Sequence, residues 1–144
     1  TLIKKEKYAK GERILEENVS TKLVTILRKI VTTKEGTATL ANIEGYEVAG
    51  KTGTAEKISV GGYSRKKINT FASVFPASKP KYSLVVMLDE PKTNSEYIYN
   101  YRDGSGRKYK GTPFNTAGWT SVEVVGQIIE KIGPILATKY AQIN

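Results

Sequence analysis

Three segments with strand character follow one another along the middle of the chain, and the links between them are short. Residues 46–57 alternate loosely and carry valine and threonine, residues 68–75 stop at Pro76, and residues 82–89 hold the longest apolar run. Runs of this length that are rich in β-branched and aromatic residues favour strands. Parallel neighbours need a long crossover connection, usually a helix, and no helical pattern separates these segments. The sequence therefore predicts an antiparallel meander.

A helix is predicted on each side of this meander. Ahead of it, apolar residues recur at helical spacing from about Glu17, and Gly36 would end the helix. The apolar face of this helix consists of Val19, Leu23, Ile26, Leu27, Ile30 and Val31. We expect an α+β fold in which the C-terminal helix packs on one face of the antiparallel sheet and the helix at 17–34 lies nearby.

The C-terminal helix is predicted from Thr120 onward. Thr120 and Glu123 match the capping-box pattern Thr-x-x-Glu ahead of an apolar run. Gly133-Pro134 should kink this helix or end its regular part, because proline lacks the backbone N–H and clashes with the preceding turn. Residues 91–118, which precede the helix, are polar and glycine-containing, so we interpret them as a long loop of the kind that is usually functional or mobile.

The composition limits the kinds of catalytic and metal-binding site that the chain can form. Its 144 residues include no cysteine and no histidine, which excludes disulfides and thiolate metal sites and removes the commonest general base. The net charge of +9 favours anionic partners, but the basic residues are scattered and indicate a solvated surface more than a nucleic-acid face. No apolar run approaches the ~20 residues that a membrane-spanning helix needs.

One pattern in the chain is that of a nucleotide-binding P-loop. Residues 45–52 match G-x-x-x-x-G-K-[ST], and residues 84–90 are similar to the apolar strand whose terminal acid holds magnesium in such enzymes. A P-loop requires a helix that begins at Lys51-Thr52, since the helix N-terminus binds the phosphates. The residues after Lys51 have no helical period and include three glycines up to residue 62. We interpret the match as a coincidence, and a P-loop triphosphatase stays an alternative.

An overlapping motif, Lys51-Thr52-Gly53-Thr54, has a different chemistry. On a strand, Thr52 and Thr54 present hydroxyl groups on one face because they are two residues apart. Together with the cation of Lys51 they could hold a carboxylate. Gly53 would let a ligand backbone approach the strand, and the N–H of Thr54 could donate to a developing oxyanion.

A longer set of residues resembles the class B penicillin-binding proteins, particularly the division-specific peptidoglycan transpeptidases. K-T-G is one of three sequence elements of penicillin-binding proteins and related β-lactamases. The residues that carry the resemblance are Gly11-Glu-Arg13, Glu35-Gly-Thr37, Val48 to Lys57, Gly61-Gly-Tyr63, Phe75-Pro76, Pro80-Lys-Tyr82, Val85 to Lys92, Thr116-Ala-Gly-Trp119 and Ile132-Gly-Pro134. The resemblance covers nearly the whole chain and implies a partial penicillin-binding/β-lactamase-like transpeptidase fold.

The resemblance also implies an activity. The family cross-links peptidoglycan stem peptides through a serine acyl-enzyme, without metal or cofactor, and β-lactams acylate the same serine. Lys51 would contribute charge and hydrogen bonds, Thr52 and Thr54 would bind the carboxylate with Gly53 between them, and the Thr54 amide would serve the oxyanion hole. The implied location is the periplasm, on a protein anchored in the inner membrane, with the cell-division machinery as partner. A β-lactam sensor or a β-lactamase shares K-T-G and stays an alternative, as does a basic nucleic-acid module.

Two regions depart from the family pattern. The family usually has small residues and a proline just after Ala-Gly-Trp, where this chain has Ser121-Val122-Glu123. The loop 93–114 matches no part of the pattern.

The two remaining elements of the family, a helical S-x-x-K and an S-x-N, have no counterpart ahead of Lys51. Ser-x-Asn does not occur in the 144 residues, and Ser-x-x-Lys begins only at Ser64, Ser78 and Ser105, in segments that we interpret as turns or loop. We therefore expect residues 1–144 to be the C-terminal part of a single transpeptidase domain that lacks its nucleophile and is inactive alone. Exposed strand edges and an uncovered apolar face should favour self-association.

Overall fold

The computed structural model describes residues 11–141. Helix α1 (Glu17–Thr32) precedes strands β1 (Ala49–Ser59), β2 (Gly62–Phe75) and β3 (Tyr82–Asp89), two short strands β4 (Ile98–Asn100) and β5 (Lys108–Lys110), and helix α2 (Ser121–Ala141). Two 3-10 turns complete it: turn 1 (Thr39–Ala41) before β1 and turn 2 (Ala117–Trp119) before α2. None of the helices within residues 11–141 is long and apolar enough to cross a membrane. The predicted α+β class is confirmed.

The three long strands form the antiparallel meander that the sequence predicts, in the order β1-β2-β3. Ala49 of β1 lies opposite Val74 of β2, and the pairing runs unshifted to Glu56 opposite Lys67. A register shift then follows before Ile58. Strand β2 begins well before residue 68, where the prediction placed it, because residues 62 and 63 also pair with the end of β1.

The two faces of this sheet are buried very differently. Asn69, Phe71, Ser73 and Phe75 alternate along β2 and are all buried. Helix α2 packs against this face, where Val122, Val125 and Ile129 join the same core. On the opposite face the side chains of β3 stand in solvent, with Val85 62 % and Met87 67 % exposed. Around β3 this face of the sheet is therefore left uncovered by residues 11–141.

Helix α1 lies beside β1, as its predicted place near the sheet requires. Arg28 Nη1 donates a hydrogen bond of 2.7 Å to the carbonyl of Val48, and Val31 and Val48 are both fully buried. The apolar face of α1 is only partly used, because Leu23 is 46 % and Ile26 58 % exposed.

Helix α2 differs from the sequence predictions in where it ends and in how it begins. It continues through Pro134 to residue 141, so the proline does not end it. Contacts hold the helix beyond that point: Leu136 packs against the core, and Tyr82 donates to its carbonyl at 3.4 Å. The predicted capping box does not form either, because the hydroxyl of Thr120 donates to Thr116 O and the carboxylate of Glu123 pairs with Arg102.

The stretch 91–118 is more ordered than the loop prediction implied. Strands β4 and β5 pair as a small hairpin, with Tyr99 opposite Tyr109. The rings of both tyrosines lie about 5 Å from that of Trp119, at 5.1 and 5.0 Å between centroids. Tyr99 is buried and its hydroxyl donates to Trp119 O at 2.7 Å. Aromatic packing thus fixes the hairpin against turn 2, and the periodicity of the sequence does not reveal it.

Candidate active site

The Lys51-Thr54 segment lies in the middle of β1, which pairs with β2 on one side only among the described residues. Thr52 and Thr54 face Phe71 and Asn69 of β2. A helix beginning at Lys51 is absent from this strand, so the structure supports the rejection of the P-loop. The hypothesis that residues 51–57 pair with residues 68–75 is confirmed as far as Ala55, and Glu56 pairs with Lys67.

The hydroxyls of Thr52 and Thr54 are held by two segments outside the sheet. The Oγ1 atoms of Thr37 and Thr52 lie 2.9 Å apart, and the backbone N–H of Ala117 donates to Thr54 Oγ1 at 3.0 Å. Because Thr54 Oγ1 accepts this bond, its own hydrogen remains to be donated. Within the Thr37–Thr52 pair one hydroxyl donates to the other, which leaves one further hydrogen. Two hydroxyl donors, one at Thr54 and one in the Thr37–Thr52 pair, therefore remain for recognition of an anion.

The edge of β1 next to these hydroxyls offers backbone groups as well. Lys51 Nζ donates to Thr52 O at 2.8 Å, which indicates that this carbonyl points to the open edge of the sheet. In a strand, backbone groups of residues two apart point to the same side. The N–H of Thr54 is therefore directed to the open edge, where an incoming oxygen could accept from it.

Gly50 and Gly53 of this strand differ in whether the surrounding packing leaves room for a side chain. A Cβ at Gly50 would lie 2.5 Å from Ala72 O and 2.7 Å from the ring of Phe71, so packing forbids a side chain there. A Cβ at Gly53 would meet nothing closer than Thr70 Cβ at 3.9 Å. Packing within residues 11–141 therefore does not require glycine at position 53.

Turn 2 is attached to the sheet by a buried amide. Asn69 Nδ2 donates to Thr120 Oγ1 at 2.8 Å and to Asn115 Oδ1 at 3.2 Å. Gly118 is also required, because a Cβ there would lie 2.6 Å from Thr37 O. Turn 2 thus touches both Thr54, through Ala117, and the segment that carries Thr37.

Sequence reasoning missed a buried ion pair near these segments. Arg102 Nη1 and Nη2 donate to Glu123 Oε2 at 2.8 Å and Oε1 at 3.0 Å, and both side chains are 6 % exposed. Burial alone would lower the pKa of Arg102, but the hydrogen bonds and negative charges of Glu123 and Glu130 together outweigh it and raise that pKa above its usual value. The only sequence signal was that both residues fall in the regions that depart from the family pattern.

The three Ser-x-x-Lys serines lie away from any helix. Ser64 is on β2 at the hairpin end of the strand, where its Oγ accepts from Lys66 N at 3.2 Å. Ser78 lies in the β2–β3 link, its N–H bonded to Glu47, and Oγ of Ser105 donates to Asp103. None of them has the geometry of a serine with a lysine one helical turn away.

Two cavities near the sheet have no lining residue from the segment 51–54. An apolar cavity of about 190 Å³ between β2, β3 and α2 is lined by Phe75, Tyr82 and Leu136, at the opposite end of the sheet from Thr54. A smaller one of about 100 Å³ borders Thr37, Gly118 and Trp119. The candidate site itself is an open edge.

Comparison with known proteins identifies the protein family that the chain resembles in sequence. Residues 2–108 match the model of the penicillin binding protein transpeptidase domain. The probable peptidoglycan D,D-transpeptidase FtsI of Caulobacter vibrioides is 31 % identical over 137 residues, which are 90 % of this chain and 21 % of that protein. Escherichia coli (strain K12) FtsI is 36 % identical over 88 residues, 60 % of this chain and 15 % of that protein.

Solved structures of penicillin-binding proteins are similar to the chain in fold. The TP domain of Burkholderia pseudomallei penicillin-binding protein 3 superposes with a TM-score of 0.63 at 25 % identity, covering 87 % of this chain and 32 % of that one. Mycobacterium penicillin-binding protein 3 in complex with aztreonam gives 0.59 at 27 % identity, covering 84 % and 26 %. The chain therefore spans 21 % and 15 % of these two curated relatives and about a third or less of the two solved chains.

Proposed function

The chain belongs to the penicillin-binding protein transpeptidase family, and we propose that it supplies the substrate-binding strand of a peptidoglycan D,D-transpeptidase. In the proposed reaction a serine hydroxyl attacks the carbonyl between the two terminal D-alanines of a stem peptide and releases D-alanine. An amine of a second stem peptide then attacks the acyl-enzyme ester, which forms the cross-link and restores the serine. The serine comes from a part of the domain outside residues 1–144.

One observation supports this proposal best. The hydroxyls of Thr52 and Thr54 lie on one face of β1 and are oriented by Thr37 and by the N–H of Ala117, beside a strand edge that is open within residues 11–141. Fixed hydroxyls beside an open edge suit a peptide that lies along the strand with its carboxylate at the hydroxyls.

The proposed roles follow from these positions. The hydroxyls of Thr52 and Thr54 bind the terminal carboxylate of the donor peptide, or the carboxylate of a β-lactam. Lys51 adds positive charge to the same strand, and Gly53 lets the ligand approach. The Thr54 N–H stabilises the oxyanion of the tetrahedral intermediate, where a preorganised donor contributes most.

The relatives named peptidoglycan D,D-transpeptidase FtsI support a role in cell-wall synthesis. The proposal also includes action at the septum with the division machinery, on a protein anchored in the inner membrane with this domain in the periplasm. Structures of Mycobacterium penicillin-binding protein 3 complexed with ampicillin and with aztreonam support β-lactams as ligands.

Labelling of the full-length protein with a fluorescent penicillin tests the proposal. The wild type should form a covalent adduct, and Lys51→Ala should lower the second-order acylation constant by at least about tenfold, the effect of one hydrogen bond to a charged group. Lys57→Ala is the matched control, because Lys57 lies on the same strand but pairs with Asp89 and Glu90. A wild type that forms no adduct, or equal loss in both variants, would contradict the proposal.

A further inference from the structure

The two regions that depart from the family pattern meet in the structure. Loop 93–114 contributes Arg102, and the unusual Ser-Val-Glu segment contributes Glu123. Their side chains form a bidentate pair that is almost completely withdrawn from solvent. Such a pair constrains both segments, because neither charge can lose its partner inside the protein without a large penalty. The two departures are therefore one structural feature.

One contact of Arg102 connects this pair to the segment that orients Thr52. Arg102 Nη1 also donates to Leu40 O at 3.1 Å, and Leu40 belongs to turn 1. Thr37 lies two residues before turn 1, and its hydroxyl is hydrogen-bonded to that of Thr52. The guanidinium thus restrains the segment that orients the first threonine.

A second set of contacts leads towards Thr54. Glu123 lies in the first turn of α2, directly after turn 2, whose Ala117 N–H donates to Thr54 Oγ1. The same carboxylate accepts from Tyr97 OH and Gln127 Nε2, each at 3.0 Å, which fixes it from two further sides. The start of α2, and turn 2 with it, is held where Arg102 and these groups place Glu123.

Gly126 lets the two sets of contacts meet. A Cβ at this position would lie 2.8 Å from Leu40 O and 2.9 Å from Arg102 Nη1. Without a side chain at 126, helix α2 comes close enough for the guanidinium to reach the carboxylate on α2 and the carbonyl of turn 1 together.

We propose that Arg102 is a positioning residue that orients both threonine hydroxyls of the K-T-G strand, Thr52 through turn 1 and Thr54 through Glu123 and turn 2. This deepens the proposed function and rests on it. Arg102 contacts no substrate in this scheme. Its effect on acylation passes through the two hydroxyls.

The test uses the full-length protein and compares Arg102→Lys with Arg102→Met/Glu123→Leu. The double variant removes both charges and so avoids a buried unpaired carboxylate. Arg107→Met is the matched control, since Arg107 is an arginine of the same loop whose side chain is 58 % exposed and pairs with Asp103. Per folded molecule, acylation by penicillin should fall at least about tenfold in both Arg102 variants and stay within about twofold in the control.

Two further readouts separate positioning from a merely structural role. Hydrogen exchange at peptides covering residues 115–120 should quicken in the Arg102 variants, while peptides from β2 and β3 stay protected. In a Thr52→Val/Thr54→Val background, Arg102→Lys should add little further loss, because Arg102 acts through these two hydroxyls. Additive losses, or unchanged acylation per folded molecule, would overturn the positioning role. A wild type without any adduct would instead refute the transpeptidase proposal, and the exchange measurement would still decide whether Arg102 holds turn 2.

Discussion

The guanidinium of Arg102 and the carboxylate of Glu123, 21 residues apart in the chain, form a bidentate pair at 2.8 and 3.0 Å. The pair ties the β4–β5 hairpin to α2 and, through Leu40 O, to turn 1. Turn 1 follows Thr37, which bonds Thr52, and α2 follows turn 2, whose Ala117 N–H bonds Thr54, so the pair and the geometry of the candidate site are connected.

The first prediction concerns the stability that this pair confers on the isolated chain of residues 1–144. Arg102→Met should lower the free energy of unfolding by about 3–5 kcal/mol, because it leaves the carboxylate of Glu123 buried without a counter-charge. Arg107→Met should cost less than about 1 kcal/mol, since its ion pair is largely in solvent. Urea unfolding measures both. Adding Glu123→Leu to Arg102→Met should recover part of the loss, and equal costs for the two arginines would contradict the explanation.

The second prediction separates the two glycines of β1. Gly50→Ala should destabilise the chain by about 1–3 kcal/mol, because its methyl group would collide with backbone and ring atoms of β2. Gly53→Ala should change stability by no more than about 0.5 kcal/mol, since its methyl group has room. Equal losses of stability in the two variants would contradict this packing explanation.

Local patterns in the sequence predicted most of the sheet. They did not predict features that depend on contacts between distant segments. Strand β3 was predicted at its observed bounds because a short apolar run after a hairpin-length link appears directly in the sequence. The start of β2 was missed because Arg65-Lys66-Lys67 resembles a solvated turn, whereas pairing with β1 sets its conformation. The contact between Arg102 and Glu123 depends on tertiary packing, which no local period encodes.

The same limit applies within the candidate site. Thr52 and Thr54 were predicted to share a face, and the structure confirms it through their register with Phe71 and Asn69. The groups that orient the hydroxyls, Thr37 and the N–H of Ala117, lie 15 and 63 residues away and could not be predicted. A backbone N–H has no sequence signature at all.

The third prediction is that the isolated chain self-associates. The uncovered sheet face exposes Val85 and Met87, and α1 exposes Leu23 and Ile26. Unpaired edges and contiguous apolar surface favour contact between molecules. Sedimentation at increasing concentration should show association that Val85→Lys/Met87→Lys reduces. A clean monomer at high concentration would contradict this prediction.

The fourth prediction concerns Thr54 in the full-length protein. Thr54→Val should lower the acylation constant for penicillin about tenfold to a hundredfold, because a hydrogen bond to a charged group contributes about 1.5–3 kcal/mol. Thr54→Ser is the control that keeps the hydroxyl and should stay close to wild type. Because valine also leaves the N–H of the buried Ala117 without its acceptor, rates must be expressed per folded molecule. Equal rates in the valine and serine variants would show that the hydroxyl does not bind the carboxylate.

The last prediction is that the isolated chain forms no covalent adduct with a fluorescent penicillin, whatever residue stands at position 54. Acylation needs a serine whose hydroxyl is deprotonated by a neighbouring base, and Ser64 lies on a strand where its Oγ accepts from the N–H of Lys66. Intact-mass measurement after incubation decides this, with the full-length protein as the positive control. A stoichiometric adduct that mapped to Ser64 and disappeared in Ser64→Ala would place the nucleophile within this chain, and the reaction would then have to be derived again from that strand.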